Sequence, residues 1–337
     1  MGKFYSCSFA KSGLHFTPEH MKFCCTNVFG PYVNINKDNY DNVLNFLFEK
    51  RKEILVDMQN HIIPKECQNC VALKEYDSDE ASLSQDVLND KIQPHKINSI
   101  IINHFKQCDC FCIYCSQYNY QKKIITTPVN SEFYDLLPII KSLYNQDKID
   151  KNDLYVEFQG GSIGVLKEFP ELVELFLKNH AKRFVFCSNG IKFSPEIVKA
   201  AQTADCLLNC SIDSGSPEVF KKLKSIDRYY QVIENLKRYK NEAPSINLSA
   251  KYILVTDVND NQEELEKFLN AAADIGADYV QTDIDFRNII CNKGVRYDVP
   301  EKYYALFDFF KKRSDELGLK YIIWDYVQSI LDKGFFE

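Results

Sequence analysis

The 337-residue chain has no run of about 18 apolar residues, the length that would cross a bilayer. Its first residues, MGKFYSCSFAKSGLHF, lack the uninterrupted apolar core of an export signal. The expectation is a cytoplasmic protein with no membrane partner. MGKFYS fits a myristoylation pattern, but so short a match is common by chance. Also missing is any long block of lysine or arginine. KKLK and KKRSD are short and read as solvated helix faces, and the net charge is -6. A nucleic-acid groove needs a basic footprint, so no nucleic-acid partner is expected. Cysteine, by contrast, is abundant, with 13 in the chain. The cytosol keeps thiols reduced, which directs the reading toward metal ligation or burial as small apolar side chains.

Six cysteines, Cys25, Cys110, Cys187, Cys206, Cys210 and Cys291, read as small hydrophobes. The others fall in two groups: Cys7, Cys24, Cys67 and Cys70, then Cys108, Cys112 and Cys115. Three regions frame them. Residues 1–95 are cysteine-spaced and loop-rich, with a helix near YDNVLNFLFEKRKEILVDMQ and a polar linker at EYDSDEASLSQDVLNDK. Residues 96–290 alternate short β-rich runs (INSIIIN, LYVEF, RFVFC, CLLNCSI, INLSAKYILV, DYVQTDI) with amphipathic helical stretches. Ser194 as N-cap before Pro195, and Gly276 closing a helix, are boundary signals within that region. Residues 291–337 add a helix and a possible further strand. Strands alternating with helices predict a parallel sheet with crossover helices. Six such units occupy about 190 residues, short of the ~250 of a closed eight-stranded barrel. The predicted fold is therefore α/β, a partial (β/α)6 barrel behind a small cysteine-rich domain.

Strand side chains alternate between faces. On that rule Asn209, Ser211 and Asp213 share one face, as do Asn247, Ser249 and Lys251, then Glu157 and Gln159, then Gln281, Asp283 and Asp285. A closed barrel fills its lumen with branched apolar side chains. Polar faces on several strands instead predict a wet, open lumen that holds a ligand, although any one of these residues could equally face solvent at an edge.

Cys108, Cys112 and Cys115 form C-x3-C-x2-C directly after the first strand of this barrel, at the face where barrel chemistry sits. Thiolates are the usual ligands of iron-sulfur clusters. Three ligands leave one iron of a [4Fe-4S] cube open, whereas a structural zinc site closes with four. Cys110 either stays a small buried thiol or supplies a fourth thiolate to zinc or to the cluster.

With this motif in place, residues 97 to about 290 resemble the radical S-adenosylmethionine superfamily. CDCFCIYC carries the aromatic Tyr114 before its last cysteine, as that family prefers, and EFQGGS is similar to its glycine motif, here Gln159, Gly160, Gly161 and Ser162. CSNG with Ser188 and Asn189, then SIDSGSPEVFKKLK, then KYILVTDVND follow in the family's order. The resemblance implies a [4Fe-4S] cluster on Cys108, Cys112 and Cys115 and S-adenosylmethionine chelated to its open iron. It also implies a one-electron reductant such as flavodoxin or ferredoxin. Reductive cleavage would give a 5'-deoxyadenosyl radical that takes a hydrogen atom from a small-molecule, sugar or peptidyl substrate. By the same analogy Ser211 and Asp213 face the ribose or methionine, Lys251 the carboxylate and Val280 the adenine. Glu157, Asp283 and Asp285 are the candidate catalytic residues, with Gln281 and Arg287 beside them for the substrate. Ser162 departs from the family, which often has a glutamate there for the methionine amino group. The departure implies greater reliance on backbone carbonyls, and it keeps a second class in view, a metal-stabilised binding or scaffold protein without catalysis. The segments CSFAKSGLHFTPEHMKFCC and IIPKECQNC are similar to SPASM or twitch segments, which usually follow the barrel. They imply an auxiliary [4Fe-4S] cluster on Cys7, Cys24, Cys67 and Cys70, with Cys25 as substitute for Cys24 and zinc as the alternative metal.

Overall fold

The computed structural model describes residues 4–17, 20–22, 32–34, 40–64, 67, 73–76, 96–103, 107–115, 118–119, 124–125, 134–285 and 301–323. Cys24, Cys25, Cys70, Arg287 and Cys291 lie outside the described residues. Two compact units divide the chain: residues 1–106, 130–160 and 166–184 form the first, and residues 107–129, 161–165 and 185–337 the second.

In the first unit, strands Gly13–Phe16 (β1), His20–Lys22 (β2), Tyr32–Asn34 (β3), Ser99–Ile102 (β4) and Tyr155–Phe158 (β5) lie in the order β5-β4-β1-β2-β3. β1 is parallel to β4 and β4 to β5, while β2 pairs antiparallel with both β1 and β3. The expected helix near Tyr40 is present as Tyr40–Gln59 (α1). β1 has no counterpart in the sequence pattern. All four of its residues are buried, so it lacks the alternation that marks a half-exposed strand. In β5, Val156 and Phe158 are buried on one face, and Tyr155 and Glu157 lie half-buried on the other. Helices Leu136–Asn145 (α2) and Phe169–Lys178 (α3) follow β4 and β5 in the chain. α3 buries Phe169, Leu172, Val173 and Phe176, an i, i+3, i+4, i+7 stripe. Phe158 meets Phe169 and Phe176 edge-on, with ring centroids at 5.0 and 6.3 Å, a favoured aromatic geometry.

Most of strand Arg183–Ser188 (β6) belongs to the second unit, with Asp205–Ser211 (β7), Asn247–Leu254 (β8), Tyr279–Ile284 (β9) and Lys320–Ile323 (β10). Their order is β10-β9-β8-β7-β6, and β7 to β10 run parallel. Between them run helices Pro195–Thr203 (α4), Pro217–Lys224 (α5), Tyr229–Glu242 (α6), Gln262–Ile275 (α7) and Glu301–Glu316 (α8). Ser194 and Pro195 open α4, and Gly276 closes α7 in the left-handed conformation, as their residue types predict. Leu208, Leu248, Ala250, Tyr252 and Val280 are buried on one face of these strands. Tyr252 packs against Phe268 of α7 with ring centroids 4.8 Å apart. No helix among the described residues is long and apolar enough to cross a membrane.

Candidate metal and cofactor site

Residues 107–115 form a loop held by the end of α5. The last carbonyls of a helix have no partner within it. Here those of Leu223 and Lys224 accept from Ile113 N at 2.9 Å and Phe111 N at 3.0 Å. Ser225, left-handed at the C-cap, donates its hydroxyl to Phe111 O at 3.0 Å. Ile113 and Tyr114 pack against the buried Leu223, Ile253 and Val255, and Ser162 N donates to Gln107 O at 2.8 Å.

Within this loop Cys110 is buried, and Cys108, Cys112 and Cys115 are half-buried. The Cys110 thiol is hydrogen-bonded to both Cys108 and Cys112. Contact with both sulfurs, together with burial, raises the Cys110 thiol, while contact with Cys110 lowers Cys108 and, with Lys224, holds Cys112 at about 7 against burial. Cys108 and Cys112 thus ionise more readily than an ordinary thiol, toward the metal-binding form, and Cys110 less readily. Cys110 N donates to Cys108 Sγ at 3.4 Å. Asn189 Nδ2 donates to Asp109 Oδ1 at 2.6 Å, Cys110 Sγ at 3.4 Å and Cys108 Sγ at 3.7 Å. The ligand atoms of Cys108, Asp109 and Cys110 lie within 4.8 Å of one another. Cys115 follows one turn on, its N–H bonded to Cys112 O at 3.1 Å. This soft donor set, with hydrogen bonds from Cys110 N and Asn189 to Cys108 Sγ, is of the chemistry that an iron-sulfur cluster on Cys108, Cys112 and Cys115 would use. Asn189 therefore touches the cysteine loop, and Ser188 Oγ accepts from Gly190 N at 3.0 Å. Gly190, at φ 73°, has no space for a side chain: a Cβ would lie 2.8 Å from Val232 and 2.9 Å from Cys210.

Behind the loop is a buried polar cluster. The Asp213 carboxylate takes hydrogen bonds from Lys224 Nζ and Tyr114 Oη, and from Ile253 N at 2.9 Å. Lys224 Nζ also donates to Tyr114 Oη at 2.6 Å. Asn259, fully buried, donates to the carbonyls of Asp213 and Ile253 at 2.8 Å each and accepts from Val255 N at 2.7 Å. Lys224 corrects a sequence expectation: KKLK is not a solvated face throughout, because Lys224 is 1% exposed. It falls on the Phe220, Leu223, Lys224 stripe that α5 buries, and that position was the available signal.

The polar faces are in register. Ser211 is level with Lys251 and Lys251 with Gln281, while Asn209 is level with Ser249. Asn209 Nδ2 donates to Gln281 Oε1 at 3.1 Å, and Lys251 Nζ lies 3.3 Å from Asp283 Oδ2. Ser249, Gln281, Asp283 and Asp285 are buried, and Asp285 N bonds to Leu254 O at 3.0 Å. Val280 is buried one position out of phase with Gln281, on the apolar face. Glu157 accepts from Tyr155 Oη at 2.5 Å and Gln159 Nε2 at 3.0 Å. The glycine motif divides between the units, with Gln159 and Gly160 in the first, Gly161 and Ser162 in the second. Ser162 is buried. Of the N-terminal cysteines, Cys7 is buried and Cys67 half-buried. Cys206 and Cys210 are the buried small side chains expected of them, and burial pushes their thiols up to about 12.

Residues 102–272 match the family model described as the Radical SAM superfamily, and the chain belongs to that family. Its members are enzymes that use a [4Fe-4S] cluster and S-adenosylmethionine. GTP 3',8-cyclase of Pasteurella multocida (strain Pm70) is 25% identical over 154 residues, covering 45% of this chain. That match spans only 44% of the cyclase's own length. Among solved structures, Streptococcus suis SuiB bound to its precursor peptide SuiA is similar over 99% of this chain and 77% of its own, at 10% identity and a TM-score of 0.51. The anSMEcpe structure with bound AdoMet matches 68% of this chain and 64% of its own, at 16% identity and a TM-score of 0.51. These likenesses agree with an α/β fold whose mostly parallel, open sheet is that of a partial barrel.

Proposed function

We propose that this radical SAM enzyme binds a [4Fe-4S] cluster through Cys108, Cys112 and Cys115, cleaves S-adenosylmethionine reductively and takes a hydrogen atom from a peptidyl, sugar or other small substrate. The observation that carries the reading is the cysteine loop, whose backbone α5 holds at Phe111 and Ile113 and whose Cys108 sulfur takes hydrogen bonds from Cys110 N and Asn189. When bound, the cluster and S-adenosylmethionine supply the electron and the radical. The chain supplies position. Ser211 and Lys251 lie level on two neighbouring strands, donors and acceptors suited to the cofactor's ribose and carboxylate. Tyr114, Gln159, Gly160, Gly161 and Ser162 complete the proposed cofactor set, with Val280 contributing backbone. Gln281, Asp283 and Asp285, with Glu157, are proposed for the substrate. Their acidic balance favours hydroxyls and amines over phosphates, because carboxylates accept hydrogen bonds and repel anions. The peptide bound to SuiB supports the peptidyl option.

The N-terminal set Cys7, Cys24 (or Cys25), Cys67 and Cys70 is proposed to hold an auxiliary [4Fe-4S] cluster. Anaerobic reconstitution is expected to give about eight irons and eight sulfides per chain, and dithionite is expected to drive slow formation of 5'-deoxyadenosine and methionine without substrate. About four irons with one zinc would remove the auxiliary cluster. An intact cluster without 5'-deoxyadenosine would leave a non-catalytic binding protein.

Asp283 also touches Lys251, so its role can be separated by kinetics. Asp283→Asn is expected to lower coupled substrate turnover at least ~10-fold more than uncoupled cofactor cleavage, as loss of positioning does. Parallel loss of both would show that Asp283 serves Lys251 instead.

A further inference from the structure

We propose that Lys224 is a positioning residue of the cluster site, one that anchors the cysteine loop and whose buried charge raises the reduction potential of the cluster bound there; this rests on the metal reading above. A lysine ammonium removed from water is costly unless paired. Lys224, at the end of α5, is 1% exposed and buries its ammonium between the Asp213 carboxylate and the Tyr114 hydroxyl, the latter at 2.6 Å. Its carbonyl accepts from Phe111 N at 3.0 Å. One residue therefore grips the loop twice, by backbone at Phe111 and by side chain at Tyr114, on either side of Cys112. The ammonium lies 5.3 Å from the centre of the Tyr114 ring and is placed at the helix end that favours positive charge. Asp213 is positioned in turn by Ile253 N and by Asn259, which bonds the Asp213 carbonyl. Burial works against the charge, yet the adjoining Asp213 carboxylate opposes it, and Lys224 sits above the ordinary lysine range. The charge is therefore permanent and lies within electrostatic reach of the ligand sulfurs. Reduction adds a negative charge to the cluster, and a nearby fixed cation in a poorly screened interior stabilises the reduced form.

The test uses wild type, Lys224→Met, Lys224→Arg and Asp213→Asn, each reconstituted anaerobically and assayed for iron and sulfide. Redox titration followed by the electron paramagnetic resonance of the reduced cluster reads the midpoint. Hydrogen exchange on the cluster-free proteins reads the loop. Lys224→Met is expected to lower the midpoint, Asp213→Asn to raise it by leaving the cation uncompensated, and Lys224→Arg to stay near wild type. Exchange at Phe111 and Ile113 is expected to quicken at least ~10-fold in Lys224→Met, the loss of one anchoring interaction. Variants that load iron normally and share the wild-type midpoint would overturn the proposal. So would unchanged exchange at Phe111 and Ile113. If Lys224→Met does not fold, the sign of the Asp213→Asn shift decides. A wild type that takes up no iron at Cys108, Cys112 and Cys115 would instead refute the metal reading itself, and this inference with it.

Discussion

Replacing Cys108, Cys112 and Cys115 together by alanine is expected to remove about four irons per chain and to abolish 5'-deoxyadenosine formation. The three thiols have no substitutes of equal standing. Cys110 lies beside Cys108 and Cys112, but contact with both and burial raise its thiol, while metal binding needs the thiolate. Cys110→Ala is therefore expected to retain the cluster. It should weaken the reconstituted site only modestly, because Asn189 and the Cys110 backbone N–H still donate to Cys108 Sγ. Iron and sulfide analysis with single-turnover product assays checks both variants. Loss of four irons from Cys110→Ala, with retention in Cys108→Ala, would make Cys110 the ligand.

Gly215→Ala is expected to lower stability more than most single methyl additions. An added Cβ would lie 2.4 Å from Phe268 N, 2.4 Å from Lys267 Cβ and 2.5 Å from Glu264 O. Two of these are backbone atoms of α7, which cannot rotate away. Overpacking costs about 1–3 kcal/mol, occasionally more, and here the upper end applies. Restoring space by moving α7 would also break the bonds from Gly215 N and Ser216 N to Glu264, at 2.7 and 2.9 Å. A loss of about 3 kcal/mol corresponds to a melting point roughly 4 °C lower for a chain of this length. Gly276→Ala is the comparison. Gly276 is left-handed at φ 78° with nothing within 4 Å of its Cβ position, so only backbone strain of about 1 kcal/mol is expected. Thermal unfolding of both variants should rank them in that order, and an unchanged melting point for Gly215→Ala would contradict the close approach of α7.

The cysteine motif was readable because cluster ligation requires a fixed set of thiols, and a loop places them by local spacing. C-x3-C-x2-C needs no partner from elsewhere in the chain to be recognised. The strands from Ser99 to Ile284 were readable for a related reason: each alternates or runs apolar between clear breakers. Even the polar face carried over, since Ser211, Lys251 and Gln281 keep the phase their sequences predict and fall level across β7, β8 and β9. β1 was hidden because Gly13–Phe16 is short and wholly buried. Its parallel pairing with Ser99–Ile102 joins residues far apart in the chain.

Lys224 and Asp213 mark the boundary between these two kinds of information. Local pattern determined that α5 would form and that CDCFCIYC would offer thiolates, because helix periodicity and ligand spacing are properties of neighbours in the chain. It could not determine that Lys224 would turn inward. Charge alone places a lysine in water, and only a carboxylate brought from the end of β7 and a tyrosine from the cysteine loop reverse that balance. Nor could spacing show that Cys110 would lie against the sulfurs of both Cys108 and Cys112. That contact depends on how the loop folds. Residue type and interval thus decided the chemistry available to this chain, and tertiary packing decided which groups are charged, which are buried and which hold others in place, because burial and pairing free energies exist only between surfaces that folding brings together.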